Sequence, residues 1–170
     1  HQYNYLLARE NLTDHLEKKD KTNKIRQRLL KIRANKVILA TGALERPMVF
    51  NNNDRPGIML SSAIKKYSDF YGVACGRKII FFTNNDSAYE SALSLNNKGI
   101  KVEAVVDIRK QSETNLEKRV IDAGIKIYWE HTVVDTSGYN RLNNVSIMKL
   151  SNDGTSVTVS YTHLRAHETP

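Results

Sequence analysis

The chain has 170 residues, with 26 Lys and Arg against 18 Asp and Glu, for a formal net charge of +8. Its single cysteine, Cys75, excludes a disulfide framework or a multi-cysteine metal site within these residues and fits a reducing, cytoplasmic setting. No apolar run approaches the roughly 20 residues that cross a bilayer, so we expect a soluble chain with no membrane partner. Because the sequence opens on His1 without an initiator Met or a leader, we also expect an internal fragment of a longer protein.

The first predicted unit is mostly β. Residues 3–16 mix β-formers with short alternations, and a second such run follows the polar residues 17–24, which predicts a β-hairpin. Much of the positive charge lies in residues 17–36, where alternation places it on one solvated face of the hairpin. Since no aromatic interleaving or recognition-helix pattern accompanies the charge, we expect no nucleic-acid partner. The apolar run Val37–Ala40 predicts a buried strand after the hairpin.

A connector with a helix is predicted next. Residues 47–59 contain two prolines, one glycine and three consecutive Asn residues, which favour a loop. A helix is expected over residues 63–72, with Ser61 or Ser62 as its cap.

From residue 76 strands and helices alternate, which favours a parallel sheet with crossover helices. The expected strands are 78–82, 101–107 and 125–129, the expected helices are 86–99 and 114–124, and antiparallel strands follow. The predicted fold class is therefore α/β, a Rossmann-like parallel-sheet domain with antiparallel β-meander segments.

The turn after the first parallel strand is where a dinucleotide fingerprint, G-x-G-x-x-G/A, would lie. Its three places hold Thr83, Asn85 and Ala88. Ala88 suits close packing of helix on strand and Asn85 tolerates the turn, but the Asn85 side chain occupies space that a phosphate needs. The pattern predicts the fold, and it leaves Thr83, Asn84 and Asn85 as candidate nucleotide-binding residues.

The residues around this turn allow a nucleotide-binding interpretation and a purely structural one. Asp107 ends the second parallel strand, where a carboxylate accepts a hydrogen bond from a ribose hydroxyl and favours NAD. The same Asp107 could instead pair with Arg109. Ser87 and Glu90 have capping-box spacing, which by itself would explain why a helix begins there.

The segment Ala40-Thr41-Gly42 follows an apolar run that itself follows a hairpin. In flavoproteins resembling glutathione and thioredoxin reductases, such a strand returns to the first dinucleotide domain and passes close to the cofactor. Gly42 permits a close backbone approach, and Thr41 can satisfy turn amides. Ala40, Thr41 and Gly42 are therefore candidate cofactor-binding residues in a two-dinucleotide-binding-domain (FAD/NAD(P)-binding) fold.

Residues 40–93 resemble the alpha subunit of heterotetrameric sarcosine oxidase, through the long motifs ERPMVFNNNDRPG and FTNNDSAY. The resemblance extends over most of the chain to about residue 150. It implies a complex that oxidises sarcosine to glycine with FAD, an FMN shared between subunits, tetrahydrofolate and oxygen, and that yields hydrogen peroxide. It also implies an NAD in the alpha subunit, with the other subunits of a hetero-oligomeric oxidase as partners.

The resemblance further implies that the first glycine-rich turn and the folate-binding region lie outside this chain. The fragment alone is then inactive, without catalytic or metal-binding residues of its own. The NAD would belong to the first domain, and the second domain would be a retained scaffold. The alternatives are an alpha-type subunit of a related amine or imino-acid dehydrogenase (opine, proline or cyanide-forming glycine oxidase) and a non-catalytic nucleotide-binding scaffold module.

The end of the chain breaks the strand pattern. VSYTHLRAHETP resembles the translation of a sequencing-library adapter, which predicts that residues 159–170 are not native. The expected organisation is otherwise the end of a first dinucleotide domain, a connector with a helix, a second Rossmann-like domain and returning antiparallel strands, over residues 1–47, 48–75, 76–137 and 138–158.

Overall fold

The computed structural model of the chain describes residues 5–166, with the side chains of all but 159–161. The chain divides into two compact units, with the boundary between Ala43 and Leu44. In the first unit, strands β1 (Tyr5–Asn11) and β2 (Gln27–Arg33) form an antiparallel hairpin, as predicted. Thr13 is the one buried residue among those described in this unit.

The apolar run Val37–Ala40 is not a strand, and that prediction is wrong. Ile38 and Leu39 expose 90% and 80% of their surface. An extended run becomes a strand only when a neighbouring strand takes up its backbone hydrogen bonds, and no strand within residues 5–166 pairs with this one. The hydrophobic pattern predicted burial, but burial also requires a partner surface.

Helix α1 spans Ser61–Tyr71, close to the prediction, but neither Ser61 nor Ser62 caps it with a side chain. The carboxylate of Glu45 accepts the backbone N–H of Ser61 at 2.9 Å and that of Ser62 at 2.8 Å. The first amides of a helix lack partners within the helix, and here an acidic side chain from outside supplies them. The predicted cap is therefore replaced by one from 16 residues upstream.

The alternating region forms the predicted parallel sheet. Strands β3 (Lys78–Thr83), β4 (Lys101–Asp107) and β5 (Lys126–Trp129) lie in the order β3-β4-β5. Helices α2 (Ser87–Asn97) and α3 (Asn115–Asp122) connect them. Thr114 and Glu117 form a capping box at the start of α3.

The core of the second unit lies between the parallel sheet and its helices. Tyr89 and Leu95 of α2, Val105 of β4 and Val120 of α3 are completely buried there. Because β4 is the central strand and is covered on both faces, its last four residues are all buried. The carboxyl end of β4, where Asp107 lies, is thereby enclosed in the core.

A second sheet is antiparallel and contains β6 (His131–Ser137), β7 (Asn144–Leu150) and β8 (Val157–Arg165), in that order. Strand β8 includes residues assigned to the non-native tail, and Arg165 lies opposite Asn144. Residues 167–170 lie outside the described part of the chain. The non-native origin of residues from 159 onward stays a prediction, which resequencing of the source DNA tests.

Candidate functional site

Side-chain hydrogen bonds stabilise the turn between β3 and α2. The hydroxyl of Thr83, which is buried, donates to the carbonyl of Asn85 at 2.9 Å and accepts the backbone N–H of Asn85 at 3.0 Å. A hydroxyl that is both donor and acceptor can satisfy such a turn without glycine. This explains how the fold keeps its tight turn with Thr83 at the first fingerprint position.

Asn85 supplies the cap of α2. Its Oδ1 accepts the backbone N–H of Ser87 at 3.0 Å and the hydroxyl of Ser87 at 2.5 Å, while its Nδ2 donates to Asn84 Oδ1 at 3.1 Å. Asp86 occupies the N-cap position without a side-chain hydrogen bond to the helix, so the expected capping box between Ser87 and Glu90 does not form. That prediction is wrong because the chain enters the helix one residue earlier.

Asp107 is buried at the end of β4, with 1% of its surface exposed. Its carboxylate accepts the Tyr89 hydroxyl at 2.8 Å, the Arg109 backbone N–H at 2.8 Å and the Arg109 guanidinium Nη2 at 2.7 Å. Burial, together with the hydrogen bond to Asp107, raises the pKa of Tyr89 well above its usual range, so this phenol stays a donor. The Asp107 carboxylate thus accepts hydrogen bonds from both Tyr89 and Arg109.

Arg109 joins the end of β4 to the beginning of α2. Its guanidinium contacts Asp107, and it reaches Asp86 Oδ1 at 2.8 Å. The hydrogen bond to Asp107, strengthened by the one to Asp86, raises the pKa of Arg109 further above its usual range. The pairing between Asp107 and Arg109 that the sequence left open therefore forms.

The predicted site residues of the second unit come together, and several of the polar groups that a dinucleotide would contact have partners within the chain. A pyrophosphate needs free amides at the start of the helix, and a ribose needs a free acceptor at the end of the second strand. Here the amides of Asn85 and Ser87 have acceptors, and Asp107 has donors. A nucleotide role for Thr83, Asn84, Asn85 and Asp107 stays a prediction.

The other predicted site residues, Ala40, Thr41 and Gly42, lie in the first unit and are exposed. Gly42 has a φ of +69°, and a Cβ added to it would meet nothing within 4 Å. Such an open backbone, in a conformation that glycine adopts without cost, suits the close approach of a ligand. The cofactor role of these three residues stays a prediction.

The motif NNNDRPG within the connector is bound to β6, a relation that local patterns did not reveal. Asn52 Nδ2 donates to Asp135 at 2.9 Å, and the Thr136 hydroxyl donates to the carbonyl of Asn52 at 3.1 Å. The Arg55 guanidinium donates to the carbonyl of Gly138. The unusual composition of this motif therefore has a structural cause.

A cleft of about 550 Å³ lies beside β3 in the second unit. Its lining is mostly apolar and includes Met48, Phe50, Ile58, Ile80, Phe82 and Leu142. Within residues 5–166 no cluster of three or more His, Cys, Asp or Glu residues could hold a metal ion. In the same part of the chain no helix is long and apolar enough to span a membrane.

Comparison with known proteins agrees with this architecture. No protein-family model matches the chain. Among solved structures, thioredoxin reductase from T. acidophilum superposes with a TM-score of 0.57 at 13% identity, over 83% of this chain and 45% of that one. FprA of Mycobacterium tuberculosis, solved in complex with NADPH, superposes with a TM-score of 0.51 at 11% identity, over 72% of this chain and 46% of that one. These likenesses establish the fold.

Curated relatives are similar in sequence. Over 152 residues, 88% of this chain, it is 41% identical to the sarcosine oxidase subunit alpha of Corynebacterium sp. (strain P-1), and it spans 16% of that subunit's length. Over 83 residues, 49% of this chain, it is 51% identical to the subunit of the same name from Rhizobium meliloti (strain 1021), of which it spans 8%. The resemblance to sarcosine oxidase alpha subunits, on a thioredoxin reductase-like fold with two dinucleotide-binding domains, is therefore confirmed.

Proposed function

We propose that this chain is part of the alpha subunit of a cytoplasmic sarcosine oxidase complex, to which it contributes a dinucleotide-type scaffold. The observation that carries the proposal is the 41% identity to such a subunit over 152 residues. The complex would demethylate sarcosine to glycine with FAD, FMN, tetrahydrofolate and oxygen, together with its other subunits. No residue of this chain is assigned a catalytic step.

The reaction is tested with the complete coding region expressed together with its neighbouring subunits. We expect sarcosine-dependent release of hydrogen peroxide, with methylenetetrahydrofolate formed when tetrahydrofolate is supplied. Oxidation of an opine, of proline or of glycine, followed with an artificial electron acceptor and with no oxidation of sarcosine, would instead establish the related amine or imino-acid dehydrogenase.

Ala40, Thr41 and Gly42 are proposed to lie beside the NAD of the first domain, with Gly42 as the closest backbone. The support is the open left-handed backbone at Gly42. A Cβ at this position would separate the backbone from the nucleotide, so Gly42→Val should lower the NAD content of the purified complex several-fold.

Gly154→Val is the matched control for Gly42→Val. Gly154 has nearly the same φ, +71°, and an added Cβ there also meets nothing within 4 Å. Both substitutions therefore carry the same backbone cost, and only Gly42→Val should release NAD. An NAD content that is equal in the two variants would remove Gly42 from the site. The other alternative, a non-catalytic nucleotide-binding scaffold module, is tested by mixing the complex with NADH in a stopped-flow instrument: a scaffold NAD should neither exchange nor reduce the flavin.

A further inference from the structure

The turn after β3 has the fold of a nucleotide site, but the amides of Asn85 and Ser87 and the carboxylate of Asp107 already have partners within the chain. In folds of this kind the pyrophosphate lies on the first amides of the helix that follows the first strand. The adenosine ribose lies on a carboxylate at the end of the second strand. In this chain those two places are the beginning of α2 and Asp107.

The place of the pyrophosphate is taken by an amide side chain. Asn85 Oδ1 accepts the Ser87 backbone N–H at 3.0 Å, which is the kind of bond that a phosphate oxygen would accept. The Thr83 hydroxyl accepts a second amide of the turn, the backbone N–H of Asn85, at 3.0 Å. The side-chain oxygen of Asn85 thus accepts the hydrogen bond that a phosphate oxygen of the ligand would otherwise accept.

The place of the ribose is taken by a guanidinium. Arg109 Nη2 donates to Asp107 at 2.7 Å and to Asp86 at 2.8 Å, so the side chain spans the gap between β4 and α2. The centre of the guanidinium also lies 6.0 Å from the centre of the Tyr89 ring. The Arg109 guanidinium thus donates to Asp107 where a ribose hydroxyl would otherwise donate.

We propose that the second dinucleotide fold of this chain is closed by its own side chains, with Asn85 in place of the pyrophosphate and Arg109 in place of the ribose. The domain is then complete without a nucleotide. NAD or NADP would enter only by displacing Arg109 from two carboxylates, one of them buried. The inference rests on the fold and on contacts within residues 83–109, and it does not depend on which reaction the complex catalyses.

The test follows nucleotide binding in the full 170-residue chain through the fluorescence of its only tryptophan, Trp129. Trp129 lies opposite Asp107 in the pairing of β4 with β5, so it reports on this site. We expect no saturable change in the wild type with NAD or NADP up to about 1 mM, which corresponds to a binding free energy weaker than roughly 4 kcal/mol. The double substitution Asn85→Gly with Arg109→Ala should create saturable binding at least about tenfold tighter than that limit.

Lys98→Ala is the control, because it removes another ion pair of the same compact unit, that between Lys98 and Asp69, and should leave binding as in the wild type. Circular dichroism verifies that each variant is folded. If the double variant does not fold, Asn85→Gly and Arg109→Ala are tested as single substitutions, because each frees one of the two places and should still create saturable binding. Saturable binding to the wild type that Asp107→Asn abolishes would overturn the proposal. A double variant that is folded but binds neither NAD nor NADP would also overturn it.

Discussion

At the scale of single residues, Glu45 connects the beginning of the second unit to helix α1. Its two carboxylate oxygens accept two backbone amides that would otherwise lack partners. Burial opposes the ionised form, but the hydrogen bonds from Ser62 and Ser61 outweigh it and lower the pKa of Glu45 below its usual value of 4.5. A carboxyl group with a lowered pKa stabilises the folded state above its unfolded pKa and loses that effect as the pH falls through its folded pKa.

Glu45→Ala should therefore lower the free energy of unfolding at pH 7 by about 0.5–2 kcal/mol, the usual cost of losing a helix cap. The difference from the wild type should shrink as the pH falls below 4.5, because protonated Glu45 no longer accepts both amides strongly. Urea denaturation at pH 7 and at pH 3.5–4 measures both values. Glu90→Ala, at an exposed glutamate in α2, is the control and should change little. A cost that does not vary with pH would contradict the proposed cap.

At the scale of elements, the connector behaves as a structural part and not as a loose link. Leu142 donates its backbone N–H to the carbonyl of Pro56, and Asn51 donates to the carbonyl of Val134. With the side-chain bonds of Asn52 and Arg55, these contacts fasten the connector to β6 and to the turn after it. The position of the antiparallel sheet beside the connector therefore depends on this motif.

Arg55→Ala should weaken that attachment. The guanidinium donates to the backbone carbonyls of Gly138 and Thr136, and hydrogen bonds from charged groups contribute roughly 1.5–3 kcal/mol. We expect a loss of that size in the free energy of unfolding, with faster proteolytic cleavage in residues 48–56. Arg46→Ala, at an exposed residue just before the connector, should leave both unchanged. Equal effects of the two substitutions would show that net charge, and not the attachment, is responsible.

At the scale of the whole molecule, the two units differ in what stabilises them. The buried apolar side chains among residues 5–166 all belong to the second unit, whereas the first consists of a two-stranded hairpin and an exposed segment. A two-stranded hairpin is marginally stable in water, because its cross-strand contacts hardly exceed the entropy lost. Stability is therefore distributed unevenly along the chain.

Amide hydrogen exchange of the 170-residue chain should show this difference directly. Amides of β1 and β2 should exchange rapidly, through local fluctuations. Those of β3 and β4 should exchange slowly, only when the whole unit unfolds. Mass spectrometry of peptides from residues 5–33 and 78–107 gives the comparison. Equal protection of the two regions would contradict it.

Elements with local signals could be predicted from the amino acids alone. Alternating strand and helix patterns after residue 76 predicted the parallel sheet, and the turn residues predicted the hairpin and the antiparallel strands. The capping box of Thr114 and Glu117 has such a signal too, a Thr followed three residues later by Glu, although it was not recognised. The periodicity of side chains and the chemistry of turns are properties of short segments, so they can be read without a structure.

Tertiary structure decided what each side chain contacts. Glu45 caps a helix that begins 16 residues away, and Asn52 bonds to a residue 83 positions later. The sequence allowed Asp107 to bind either a ribose or Arg109. The fold brings Asp86 close to Asp107, so the Arg109 guanidinium contacts the carboxylates of both residues. The run Val37–Ala40 has the pattern of a buried strand without a paired strand among the described residues. Hydrogen bonds and burial depend on which distant groups the fold brings together, and the spacing of residues along the chain does not contain that information.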